Sequence, residues 1–299
     1  MKGETRMSDF ILITDSDSEI PYSFAEEHDI PVFLMPYTLN GKESLFDLGK
    51  NTDFEGFYNA LRQGASASTS TRSTLDIQEW FESILKEGKD VLYLCFSHNL
   101  SGHYNLSLMA REEALKNYPD RRLEIVDTLS ISMGAGMLVY HAAFMRENGK
   151  SLDEVKDWVE ANKLHLLHFF SVDDLNYLKR TGRVSAVSAT LGTMLDLKPI
   201  LCVTKEGKIV AYDKVKGRKK LIKKLAELTE ENYLDTDEGR ELMVIMHGDN
   251  VDMAEALKEE ILKRVSFNNV WIQHVGPVIG SHCGPGVMAV LMLGKERAL

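Results

Sequence analysis

The sequence predicts an α/β fold in two α/β domains. Residues 1–165 would form an N-terminal domain on a mostly parallel sheet with flanking helices, and residues 166–299 a C-terminal domain on a mixed sheet. Three observations carry that reading. Up to about residue 164, short apolar runs alternate with amphipathic helical patterns, as in a parallel sheet joined by crossover helices. From residue 166 on, a hairpin signal mixes with helices, which requires some antiparallel pairing. The length of 299 residues also exceeds the commonest size of one domain. No long linker separates the halves, so close contact between them is expected.

The first half opens with an apolar strand over 10–14 that ends in Asp15-Ser16-Asp17-Ser18. A helix over 21–28 and a strand over 31–39 follow, the strand turned by Asn40-Gly41. Residues 53–62 place Phe54, Phe57, Tyr58 and Leu61 on one side of a helix. Residues 64–74 are small and polar apart from Arg72, cannot build a core, and are expected to be a loop. Ser73 or Thr74 at its end can cap a helix carrying Ile77, Trp80, Phe81, Ile84 and Leu85. Residues 91–96 are apolar or aromatic throughout, the pattern of a strand buried on both faces, and stop at Ser97-His98-Asn99-Leu100-Ser101-Gly102 before a helix. A strand over 123–126, a helix over 130–145 with Gly134 and Gly136, and a helix over 152–164 behind a Ser151–Glu154 capping box complete this half.

The second half begins with a strand over 166–172, short helices over 173–180 and 183–194, and a strand over 197–203. Lys205-Glu206-Gly207-Lys208 turns that strand into another over 209–215. A helix over 221–228, an acidic loop over 232–239, a strand over 241–246, a helix over 251–265 and a strand over 270–275 follow. A glycine-rich loop over 276–286 leads to a last strand over 287–293.

Composition narrows the function classes. The chain is 44% hydrophobic and 27% charged, ordinary for a soluble globular protein. Lys and Arg number 35 against 45 Asp and Glu, a net charge of −10 with no basic block, which argues against binding nucleic acid or a membrane surface. Cys95, Cys202 and Cys283 match no zinc or redox spacing and suit a reducing cytoplasm, the expected location. No apolar run approaches a membrane span, and the N-terminal stretch lacks the apolar core of a signal peptide. Met7 is an alternative start.

Three loops, 68–71, 97–102 and 281–286, are rich in donors and poor in bulk. The second offers hydroxyls, His98 and the unpaired N–H groups of a helix start, with His103 just beyond; this set suits an anion. Ordinary helix capping by Ser97, Asn99 or Ser101 is its plainer reading. In the third, His282 stands among Gly280, Gly284 and Gly286, which let the backbone approach a ligand. If the loops converge between the domains, they hold a carboxylate with neutral donors and one imidazole, without metal or lysine. Each charge-assisted bond would be worth ~1.5–3 kcal/mol.

A second chemistry competes. Asp15 and Asp17 behind an apolar strand, with Asp173-Asp174 behind another, resemble a metal-dependent phosphatase of the haloacid-dehalogenase type. Glu19 stands where those enzymes carry Thr or Val, and both aspartates also suit turn and helix-start positions. A serine hydrolase using Ser97 lacks the Gly-x-Ser-x-Gly elbow, and no phosphate-cradling loop or metal-ligand cluster is present.

Several segments form an ordered set. They are Ile13-Thr14-Asp15-Ser16, the segments 68–72 and 97–102, and Val126-Asp127-Thr128-x-Ser130 with Met133-Gly134. Next come Val172-Asp173-Asp174-Leu175-x-Tyr177-Leu178-Lys179-x-x-Gly182-Arg183, Leu197-Lys198-Pro199-Ile200 and the segment 276–286. Their order and spacing resemble those of the DegV family of bacterial fatty-acid-binding proteins, over nearly the whole length from about Asp9. The resemblance implies a long-chain fatty acid such as palmitate, stearate or oleate buried between the domains. It implies a carboxylate met by Thr69, Ser97 and His282, with Ser70, Ser101 and Arg183 in support. It further implies a lipid carrier without cofactor, not itself an enzyme. Its partner would be a fatty acid kinase that phosphorylates the presented carboxylate for phospholipid synthesis.

The chain departs from the family pattern in places. Thr71 and Arg72 replace Gln-Pro, and His98 and Asn99 replace Ser-Gly, which loses one hydroxyl while Asn keeps the turn accessible. Cys283 stands where Thr is usual, and Lys216-Gly217-Arg218 matches the family's basic kinase-docking segment only loosely.

Overall fold

A computed structural model describes residues 10–184 and 197–299; the expected helix over 183–194 and the alternative start at Met7 lie, wholly or nearly so, outside them. The strands of the first half are β1 Phe10–Asp15, β2 Val32–Phe33, β3 Pro36–Leu39, β4 Lys42–Leu45, β5 Ala67–Thr69, β6 Asp90–Cys95 and β7 Leu123–Asp127. Those of the second are β8 Leu166–Ser171, β9 Leu197–Val203, β10 Ile209–Lys216, β11 Leu242–His247, β12 Asn269–His274 and β13 Met288–Leu293. The helices before β8 are α1 Tyr22–Glu27, α2 Phe54–Arg62, α3 Thr74–Leu85, α4 His103–Asn117, α5 Met133–Glu147 and α6 Leu152–Asn162. After it come α7 Asn176–Arg180, α8 Arg218–Asn232, α9 Asp237–Glu241, α10 Val251–Leu262 and α11 Pro277–Cys283.

The apolar runs at β1 and β6 form the centre of a four-stranded, wholly parallel sheet in the order β2-β1-β6-β7. The second half builds a six-stranded sheet, β10-β9-β8-β13-β11-β12, in which β11 and β12 run parallel and the other neighbours antiparallel. Helix α5 lies between the two sheets, packing on β1 and β6 on one side and on β8, β11 and β13 on the other. It is therefore apolar almost all round, and a Cβ at Gly134 would overlap the His168 ring of β8. One apolar core thus runs through both halves, and α8 and α10 cover the far face of the larger sheet with a second.

Three expectations are corrected. The strand over 31–39 is two: β2 pairs with β1, whereas β3 leaves for a separate antiparallel sheet, β4-β3-β5. The break falls just before Pro36, which has no N–H for a ladder, and at Met35, whose N–H donates to Ser16 Oγ at 2.9 Å. The expected loop over 64–74 contains β5, which pairs Thr69 with Tyr37 and Ala67 with Leu39. Its small side chains bar it from building a core but not from donating to a ladder. The glycine-rich loop over 276–286 contains α11, with Pro277 at the helix start and Gly284 at φ 71° ending it. The capping boxes at Ser73–Asp76 and Ser151–Glu154 form, and Asn40-Gly41 turns β3 into β4 with both residues at positive φ. No helix among the described residues is long and apolar enough to cross a membrane.

Candidate functional site

In the first sheet β1 connects outward to β2 and β6 outward to β7, so the loops behind these two adjacent strands part and leave a crevice at their carboxyl ends. A cavity opens there, lined by residues of both halves. The first half lines it with Asp17 behind β1, Thr69 to Thr71 behind β5, and Phe96 and Leu100 to Gly102 behind β6. The second half closes it with Leu178, Arg183, Ile209 and one face of α11, from Val278 to Cys283.

Two of the expected ligands meet. Thr69 ends β5 and His282 stands on the last turn of α11, and Oγ1 and Nε2 are 2.8 Å apart. Burial, then the nearby Arg183 and Arg180 guanidinium groups, push the His282 pKa down to about 4, so the ring is neutral near pH 7. His282 Nδ1 has no partner among the described residues. The pair therefore always keeps one hydrogen to give. If Nε2 carries the proton and donates to Thr69, the threonine hydroxyl hydrogen is free. If Thr69 donates to Nε2, the proton sits on Nδ1 and is free there.

Ser70, Ser101 and Arg183 also line the cavity. Ser101 Oγ accepts from His103 N, leaving its own hydrogen unused in that bond. Arg183 is held by the carbonyls of Leu100, at 3.3 Å, and Thr181.

Ser97 is placed differently. It is fully buried and not on the cavity wall, and its hydroxyl donates to Gly207 O at 3.0 Å. The hairpin tip between β9 and β10 reaches across from the other half and takes that hydrogen; Asn99 Nδ2 donates to Glu206 O beside it. His98 turns outward to Asp127, and His103 is buried against Phe33 with Nε2 on the Tyr93 hydroxyl at 2.8 Å.

The phosphatase reading finds no support. Asp15 is fully buried, and its oxygens accept from Asp17 N, Tyr93 Oη and Phe96 N, so it faces the interior and not a substrate. Asp173 pairs with Lys198 and Arg218, and Asp174 takes the Asn176 N–H at a helix start. Asp15, Cys95 and His103 do bring ligating atoms within 4.8 Å of one another. Asp15 spends its oxygens on Asp17 N, Tyr93 Oη and Phe96 N, however, and His103 Nε2 pairs with the same tyrosine hydroxyl.

Glu19 supports the site without lining the cavity, a role the sequence pattern does not reveal. It is buried, accepts from Ser132 Oγ and from Gly276 N just before α11, and so ties the helix that carries His282 to the loop behind β1. Tyr58 Oη adds a bond to Val275 O at 2.8 Å.

The family model described as "Uncharacterised protein, DegV family" matches residues 9–295. A DegV domain-containing protein of Clostridium perfringens is 41% identical over 97% of this chain and 99% of its own. Among solved structures, a fatty-acid-binding DegV family protein of Thermus thermophilus is similar with a TM-score of 0.83 at 29% identity, covering 96% of this chain and 99% of that one. DegV of Bacillus subtilis, described as a fatty acid binding protein, is similar with a TM-score of 0.81 at 25% identity, over 96% and 100%. The cavity thus sits in a fold shared along its whole length with these proteins, and the chain belongs to the DegV family.

Proposed function

We propose that this protein is a cytoplasmic carrier of a long-chain fatty acid, such as palmitate, stearate or oleate, and not an enzyme. The acyl chain fills the cavity between an N-terminal domain, residues 1–165, and a C-terminal domain, residues 166–299. The carboxylate takes the spare hydrogen of the Thr69–His282 pair, with Ser70, Ser101 and the Arg183 guanidinium in support. Ser97 reaches the ligand only by giving up Gly207, so its part is to hold the loop in place. The observation that carries the reading is this donor pair at the wall of an apolar cavity at the switch point of the sheet.

The energetics suit a carrier. Each buried methylene contributes ~0.8 kcal/mol, so a palmitoyl tail contributes roughly 11 kcal/mol before ordering and association costs. Tight binding needs no catalytic group. The carboxylate end would then be presented to a fatty acid kinase, which makes the acyl phosphate with ATP.

The test is mass spectrometry of the purified protein, native and then denatured with organic extraction. One or a few long-chain fatty acids released on denaturation support the reading. A ligand-free mass that does not shift on adding palmitate or oleate overturns it. Acyl phosphate formed by a fatty acid kinase only when the loaded carrier is present is the check on the partner.

A further inference from the structure

The cavity wall carries one polar group that the carboxylate reading leaves unused. Asp17 lies just behind β1 on that wall, is 4% exposed, and its Oδ1 has no hydrogen-bond partner among the described residues. The acidic residues beside it are served: Asp15 accepts three hydrogen bonds and Glu19 accepts from Ser132 and Gly276. Met35, Phe96 and Ile131 on the same wall are apolar. Burial, then the Asp15 and Glu19 carboxyls close by, push the Asp17 pKa well up, which favours its neutral form. A neutral carboxyl donates through its O–H and accepts through its carbonyl oxygen. Its surroundings differ from those of His282, whose charged neighbours are Arg183 and Arg180. With the ligand carboxylate at the Thr69–His282 pair, as proposed above, Asp17 is left to meet the chain of the ligand and not its head.

A fully saturated chain would leave this carboxyl buried without a partner, which costs binding free energy. A hydroxyl on the chain both donates and accepts, and matches a neutral carboxyl in both senses. We infer that Asp17 forms a second polar subsite in the cavity, and that the protein prefers a long-chain fatty acid bearing a hydroxyl part-way along its chain. The inference rests on the fatty-acid reading and deepens it.

The test is native mass spectrometry of the full-length protein in competition between stearate and a set of stearates hydroxylated at successive carbons. The wild type is expected to take at least one hydroxystearate about tenfold over stearate. Asp17→Leu is expected to reverse the preference, and Asp17→Asn, whose amide still donates and accepts, to keep most of it. Equal or stronger binding of stearate by the wild type overturns the inference whatever the variants do, so a variant that fails to fold does not shelter it. A wild-type preference that Asp17→Leu leaves unchanged also overturns it. If the wild type binds no acyl chain at all, the carrier reading falls and this subsite with it, an outcome distinct from binding without preference.

Discussion

The cavity has two buried polar corners built in opposite ways. At one, Thr69 and His282 pair beside Arg183; at the other, Asp17 lines the wall, with Asp15 and Glu19 buried within two residues of it in the chain. Desolvation is the first cause of the shifts at both, and it drives His282 down to about 4 and Glu19 up to about 8, so burial makes both groups predominantly neutral near pH 7. What differs is the surplus. The first corner has a hydrogen to spare and positive charge nearby; the second has three acids within five residues of chain. On the proposed reading an anionic head is favoured at the first, and the two corners together would set the direction in which a carboxylate ligand lies.

Arg297 sharpens the comparison, because it is a buried ion with partners instead of a neutralised one. Its guanidinium donates to the carbonyls of Leu166, Leu129 and Thr204 and to Ser130 Oγ, at 2.7–2.9 Å, and so staples the hairpin tip and β8 to the loop behind β7. Arg297→Met is expected to cost about 4 kcal/mol, since it leaves several buried acceptors unpaired. Urea denaturation of the two proteins measures it, and a loss below ~1 kcal/mol would mean that water replaces the guanidinium.

The two corners should respond to pH with opposite sign. The folded pKa of His282, about 4, lies below the ordinary value of 6.5, so the unfolded chain takes the proton first. That contribution is present above pH 6.5 and lost as pH falls through 4. For Glu19 the folded value, about 8, lies above 4.5, so its contribution is present below pH 4.5 and lost as pH rises through 8. His282→Gln should flatten the acid limb of a stability–pH profile by up to about 3 kcal/mol and Glu19→Gln the alkaline limb by up to about 5 kcal/mol. His141 and His247, both pushed down to about 4 by burial, keep part of the acid limb in the first variant.

His282→Ala and Thr69→Val act on the ligand more than on the fold. Each removes one half of the donor pair, and each should weaken fatty-acid binding by about 2 kcal/mol in a displacement titration. Unchanged affinity in both would move the head group elsewhere on the wall.

Much of this was legible in the sequence. The apolar runs at β1 and β6, the two capping boxes and the Asn40-Gly41 turn are local signals, and local physics made them. Thr69 and His282 stand 213 residues apart, and only the ordered motifs pointed to both. What stayed hidden depends on a partner far along the chain. β5 is a strand because β3 offers it an edge, and nothing in its own Ser and Thr residues says so. α11 was obscured by glycines that serve other ends: Gly280 lets the helix pack against Tyr58 and Phe57, and Gly284 stops it.

Ser97 is the sharpest instance, and the smallest effect. Its place in the sequence suggests a ligand, yet its hydroxyl is spent on Gly207, 110 residues away, where a Cβ would strike it. Ser97→Ala should therefore cost about 1 kcal/mol of stability, the worth of one buried hydrogen bond, and less than that in fatty-acid affinity. Thr69→Val should show the reverse ratio. If Ser97→Ala instead weakens binding as much as His282→Ala while stability holds, the hydroxyl must leave Gly207 when ligand arrives. The hairpin tip would then be released on loading, and the loop behind β6 would differ between empty and loaded carrier. Hydrogen exchange at Asn99 and Lys208 with and without palmitate separates the two cases, since a hairpin that stays docked keeps its protection in both.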